Sequence, residues 1–131
     1  MPIIGVNIKS INAKVDDSKF TGNVEISSSP SIESVEKKDF SFAGMKDALF
    51  IGFSFKTQYT PDVGNIQFKG EIIYQSDDTK KVLKTWREDK KLDDDVSVEV
   101  LNAIFRKCIA KAVQIAEDLR LPPPINVPVV I

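Results

Sequence analysis

Alternation of apolar and polar positions dominates the first half of the chain. Ile4, Val6 and Ile8 alternate with Asn7 and Lys9, the two-residue period of a half-buried strand. After a polar break at Asp16, Asp17 and Ser18, a second run sets Phe20, Gly22, Val24 and Ile26 against Thr21, Asn23, Glu25 and Ser27. The stretch SSSPSIESVEKK that follows reads as a loop or an excursion at a sheet edge. Phe40 and Phe42 then return to strand spacing. In the third and longest run, Leu49, Ile51, Phe53, Phe55, Thr57 and Tyr59 share one face, and Gly52, Ser54, Lys56 and Gln58 share the other. The pattern resumes after TPDVGN with Ile66, Phe68, Gly70, Ile72 and Tyr74. Pro61 presets that turn and Gly64 can supply a positive φ, which predicts a hairpin. One apolar face and one polar face predict an antiparallel sheet covered on a single side.

The cover is helical. TKKVLKTWREDKK sets Val82, Leu83 and Trp86 on one side, behind Asp77 and Asp78 as capping candidates. Asp93, Asp94 and Asp95 open a second helix, where negative charge complements the N-terminal dipole. Leu101, Ile104, Phe105, Cys108, Ile109, Ala112, Ile115, Ala116 and Leu119 then recur at three- and four-residue steps, an amphipathic stripe of about five turns. Ala103, Arg106, Lys107, Ala110, Lys111, Gln114 and Asp118 fall on the other side. Pro122 to Pro124 end the helix, yet the chain beyond them stays apolar through Ile125, Val127, Val129, Val130 and Ile131. At ~25 cal/mol per Å² such a tail is costly to leave in water, so it is expected to pack on its own domain or on a neighbouring subunit. The expectation is one α+β domain over residues 1–131, with a four-stranded antiparallel sheet, two C-terminal helices and an apolar, proline-rich return segment.

Charge and composition narrow the function by exclusion. Eighteen Lys and Arg against nineteen Asp and Glu leave a net charge of −1, without the basic excess of nucleic-acid binders or a polybasic stripe for anionic membranes. The chain has no histidine and one cysteine, which removes the commonest general base and any Cys/His zinc site within one chain. A single cysteine, no apolar run of membrane-spanning length and no secretory pattern at MPIIGVNIKSI point to a cytoplasmic protein without membrane insertion. No catalytic motif is present and no cofactor is implied. Asp93 to Asp95 lack the spacing, central glycine and closing glutamate of a calcium loop, and helix capping explains them better. Cys108 lies in the apolar stripe without a histidine to activate it, and reads as a buried small hydrophobe. Lys56, Lys69, Lys84, Arg87, Lys90 and Lys91 are interleaved with Glu71, Glu88 and Asp89 and lack an aromatic stacking platform, so they read as a solvated face.

The aromatic residues carry the remaining candidate chemistry. Trp86, alone on a Lys-rich helix, is either a core anchor or an interface residue. Phe50 points away from Phe53 and Phe55, so exposure there would mark a partner surface, and Phe40 and Phe42 raise the same alternative.

This order of elements, with the residues that compose it, resembles the SecB-type export chaperone fold over most of the chain. VNIKSINAKVDDSKF, GNVEIS, ALFIGFSFKTQYT and NIQFKGEIIY resemble that family's four strands. LNAIFRKCIAKAVQIAEDLRLPPPINVPVVI resembles its long helix and the segment that folds back after it. The chain also resembles a group of small uncharacterised archaeal proteins through a YxPxVGxIxFxG turn, Tyr59 to Gly70, and an LPPPI end, Leu121 to Ile125. The resemblance implies a homo-oligomer, a dimer or a tetramer of two dimers, with helices sandwiched between sheets. It also implies a surface groove that holds unfolded, extended polypeptide without ATP, with Phe40, Phe42, Phe50 and Trp86 as its peptide-binding residues. An alternative within the same family is an adaptor or antitoxin-like module for one specific partner. The near-neutral charge and an end at Ile131 without a polar tail depart from the family pattern and argue against delivery to the export motor. An enzyme or small-ligand binder built on carboxylates, lysines and Tyr59 or Tyr74 is the competing class.

Overall fold

A computed structural model describes residues 3–19, 23–40, 45–75 and 79–125, apart from the side chains at 38–40 and 45–47. Phe42, the capping candidates Asp77 and Asp78, the start of the second alternating run at Phe20 to Gly22, and the tail from Val127 to Ile131 lie outside the described residues. The elements are β1 (Ile3–Val15), a 3-10 turn (Asp17–Lys19), β2 (Glu25–Phe40), β3 (Met45–Thr60), β4 (Gly64–Tyr74), α1 (Thr79–Asp89) and α2 (Asp94–Asp118). The four strands form one antiparallel sheet in the order β1-β4-β3-β2. Both helices pack on one face, α2 across β1, β4 and β3, and α1 against β2 and β3. The α+β architecture read from alternation and helical stripes is the one observed.

The core forms where the third and fourth runs present their apolar faces. Ile51, Phe53, Phe55, Tyr59, Ile66, Phe68 and Ile72 are buried under Val82, Val100, Ile104, Cys108, Ala112 and Ala116. Small residues on α2 let that helix approach the aromatic rows closely. Phe55 stacks on Phe68 at 6.5 Å and takes the edge of Phe105 at 5.4 Å. Ser28 and Thr57 pair their hydroxyls at 2.9 Å on the same face, which satisfies the buried Thr57.

Four local readings are corrected by the structure. The SSSPSIESVEKK stretch is strand, forming most of the 16-residue β2. Its serines and Pro30 belong to an edge strand, where a missing N–H breaks no ladder. Ile4 is exposed because a register shift between Ile3 and Gly5 turns it out, while Ile3 pairs inward with Tyr74. At the hairpin, Asp62 takes the positive φ of 57° beside a cis Thr60–Pro61 peptide. Gly64 is needed instead for close approach, since a Cβ there would lie 2.6 Å from the Lys14 carbonyl oxygen and 3.2 Å from Leu121 Cδ1. On α2, Ala103 faces the core while Phe105 stays 36% exposed, so the buried face is rotated toward Val96, Val100 and Ala103.

The start of α2 is electrostatic. Asp93 holds the N-cap position but its carboxylate makes no capping hydrogen bond, and Asp94 and Asp95 sit in the first turn. Its end is a Schellman turn: Leu121 N–H bonds to Ala116 O at 2.8 Å and Arg120 N–H to Glu117 O at 3.1 Å, with Arg120 left-handed at φ 58°. The turn drops Leu121 into the core. The return segment therefore packs on its own domain at least as far as Pro122, whose carbonyl oxygen accepts a bond from Tyr59.

Candidate functional site

The structure gathers chemistry at the corner where α1 crosses the ends of β2 and β3. A groove of about 440 Å³ opens there. Leu49, Leu83 and Thr79 form its floor, and Lys37, Lys80, Lys84, Arg87 and Glu88 its rim. Lys80, Lys84 and Arg87 come from one face of α1 because they stand at i, i+4 and i+7. Lys37 arrives by a different route. A register shift between Ile32 and Ser34 changes which β2 residues face the helices, so Val35 pairs with the core residue Ile51 and Lys37 with Leu49. The bulge thus brings a cation to the helix side of an edge strand.

Beside this groove the inner face of β2 is incompletely covered. Pro30 and Ile32 are half-buried and Ile26 is exposed, opposite the fully buried Phe55, Phe53 and Tyr59 of β3. Strand β2 pairs only with β3, so its outer row of backbone groups meets no further strand among the described residues. A second apolar shoulder runs along α2 through Val98, Leu101, Phe105 and Ile109, with Val98 60% exposed. On the opposite edge, a trough of about 580 Å³ lies between β1 (Val6, Ile8, Ile11) and Lys107 and Lys111 of α2.

The aromatic candidates are not brought together as one patch. Trp86 lies on α1, half-buried against the core, one turn after Leu83, with Lys90 Nζ 5.9 Å from its ring centre. Phe40 ends β2, paired with Met45. Phe50 does lie on the sheet face away from the helices, between Glu36 and Ile73, but is only 6% exposed. The cationic candidates also separate: Lys56 and Lys69 stand on the outer sheet face, whereas Lys84 and Arg87 line the groove. The sequence reading missed Lys37, Lys80, Leu49 and Leu83. The i, i+4, i+7 spacing of the α1 cations is a usable signal; Lys37 is hidden because SSSPSIESVEKK reads as a loop or a sheet-edge excursion, and the register shift that turns Lys37 inward leaves no mark in the sequence.

Two titratable groups are deeply placed. Burial pushes the Cys108 thiol up to about 11 against a small opposing effect of Lys107, so the sulfur is a neutral core atom at physiological pH. Burial likewise pushes the Tyr59 phenol up to about 12 while its hydroxyl donates to Pro122 O. Among the described residues no cluster of acidic or thiol side chains is arranged to hold a metal, and no helix is long and apolar enough to cross a membrane.

No protein-family model matches the sequence, and no curated protein matches it. Among solved structures, a SecB-like chaperone from Mycobacterium tuberculosis, in complex with a ChAD peptide from the HigA1 antitoxin, superposes with a TM-score of 0.52 at 15% identity. The match covers 98% of this chain and 88% of that one. The chain has a SecB-like α+β fold.

Proposed function

We propose that this protein is an ATP-independent, holdase-type chaperone that binds unfolded or extended polypeptide. The observation that carries the reading is the corner at α1. There the edge strand of the sheet, a half-covered apolar inner face and a groove floored by Leu49 and Leu83 meet on a SecB-like fold. An extended segment gains main-chain hydrogen bonds from such an edge and side-chain contacts from such a groove. The solved SecB-like chaperone carrying an antitoxin peptide supports a peptide as ligand. In this reading Trp86 and Phe40, with Phe42 close by in sequence, supply the aromatic contacts, and Phe50 contributes through the strand it anchors. The protein acts in the cytoplasm as a homo-oligomer, dimer or tetramer, burying the Val98–Leu101–Phe105 shoulder and combining several grooves for avidity. Neither cofactor nor catalysis is part of the mechanism.

A second reading, an adaptor or antitoxin-like module for one specific partner, is favoured by the cationic rim, because charge at a groove gives selectivity. Light scattering on the eluted protein, with and without a chemically unfolded client, separates the two. Uptake of diverse unfolded chains and not of their folded forms supports the holdase. A stable oligomer that takes up none of them rejects it in favour of the adaptor.

A further inference from the structure

The rim of the α1 groove is chemically one-sided. Lys80, Lys84 and Arg87 stand against a single Glu88 in a chain whose net charge is −1. All three are exposed, and none forms an ion pair among the described residues. Their placement is unfavourable for the helix alone. Lys80 sits in the first turn, at the positive end of the dipole, and Lys80–Lys84 and Lys84–Arg87 are like-charge neighbours at helical spacing. Glu88, four residues after Lys84, offsets part of this row and the last-turn position suits Arg87, which still leaves an excess of cations at the groove that an anionic partner neutralises. The apolar floor of Leu49 and Leu83 then asks for apolar side chains between the acidic ones.

The adjoining edge selects the form of that partner. Pro30 lacks an N–H and interrupts continuous pairing along the first half of β2. Strand pairing is therefore favoured beyond both Pro30 and the bulge at Glu33, from Ser34 to Lys37, which leads into the groove. We propose that the groove takes an extended acidic–apolar peptide segment, added as a strand beside the second half of β2, its carboxylates on Lys80, Lys84 and Arg87 and its apolar side chains on Leu49 and Leu83. The proposal rests on the peptide-binding reading and names the class of segment selected. A nucleic acid fits less well, because the floor between the cations is aliphatic and the nearest ring, Trp86, is half-buried against the core and stands alone rather than as a stacking platform.

The test uses the full chain and three fluorescent twelve-residue peptides of one apolar framework, alternating with Glu, Lys or Ser. Anisotropy is expected to show the Glu peptide binding at least tenfold tighter than the Lys peptide, with the gap shrinking in high salt. The double variant Lys84→Glu/Arg87→Glu changes exposed side chains, so circular dichroism should be unaltered, and it should reverse the order. Lys107→Glu, on the α2 face toward β1, should not. Equal affinity for all three peptides, or an order untouched by the double variant, overturns the proposal while leaving peptide binding intact. Failure of every peptide and of unfolded client overturns both. Tighter binding of a single-stranded RNA that competes with the Glu peptide also overturns it, assigning the rim to nucleic acid.

Discussion

The Tyr59 hydroxyl donates a 2.6 Å hydrogen bond to the Pro122 carbonyl oxygen, joining the end of β3 to the return segment 63 residues later. Tyr59 is fully buried, so Tyr59→Phe leaves an acceptor under-satisfied and is expected to cost about 1 kcal/mol. Burial of the phenol also predicts an alkaline signature. The folded phenol titrates near 12 and the unfolded one near 10.0, so its contribution is complete below pH 10. It is lost as pH rises from 10 toward 12, at up to about 1.4 kcal/mol per pH unit. Urea midpoints at pH 8, 10 and 11 should fall more steeply for the native sequence than for Tyr59→Phe. Parallel profiles would mean the phenol is not buried as described.

Arg120 is left-handed at φ 58° because the Schellman turn after α2 requires that conformation. A Cβ opposes it and glycine does not. Arg120→Gly is therefore expected to raise stability by about 0.5–1 kcal/mol, read as a higher thermal midpoint. A lower midpoint would show that the arginine side chain contributes more than its backbone strain costs.

Gly70 and Gly5 form a matched pair of opposite expectation. A Cβ on Gly70 would collide with the Asn7 carbonyl oxygen and come within 3.0 Å of both Ile8 Cα and Phe53 Cζ, whereas on Gly5 it meets nothing within 4 Å. The first is backbone-limited in the middle of the sheet, so Gly70→Ala should cost roughly 3 kcal/mol. Gly5→Ala should stay within about 0.5 kcal/mol of the native sequence. Similar denaturant midpoints for the two variants would contradict the β1–β4 register.

What the sequence disclosed and what it concealed divide along a physical line. Period-two alternation in β3 and β4 and the α2 stripe were legible because each residue's burial depends on its own element's geometry. The bulges were not. Residues skipped by the pairing near Ile4 and Lys9 in β1 and near Glu33 in β2 each switch the face of the side chains that follow until the next shift, and that switch depends on the partner strand's register. The bulge near Glu33 brings Lys37 to the groove, which is why the site was harder to read than the fold. Phe50 shows the same limit from the other side: its face was legible from alternation, its burial was not.

Cys108 is fully buried, and burial holds its thiol near 11. At pH 8 it should react with an aromatic disulfide reagent only through opening of the α2–sheet packing, with a rate that rises with urea in step with unfolding. Labelling of the native protein as fast as that of a small thiol would show that α2 lifts from the sheet under native conditions.

Trp86 is the single tryptophan, so its emission reports one place, the α1 turn after the groove residue Leu83. Its ring is half-buried against the core under Lys90, which leaves part of it available to a bound segment. Binding of unfolded client should shift the emission to shorter wavelength as the remaining water contact is removed. Trp86→Ala should weaken client binding about tenfold, equivalent to ~1.4 kcal/mol, while far-ultraviolet dichroism keeps its helix signal. The conservative Trp86→Phe should recover most of the loss, since an aromatic face remains. If Trp86→Ala binds client as tightly as the native sequence, Trp86 is a core anchor only, and the client lies against Leu83 and the β2 edge without it.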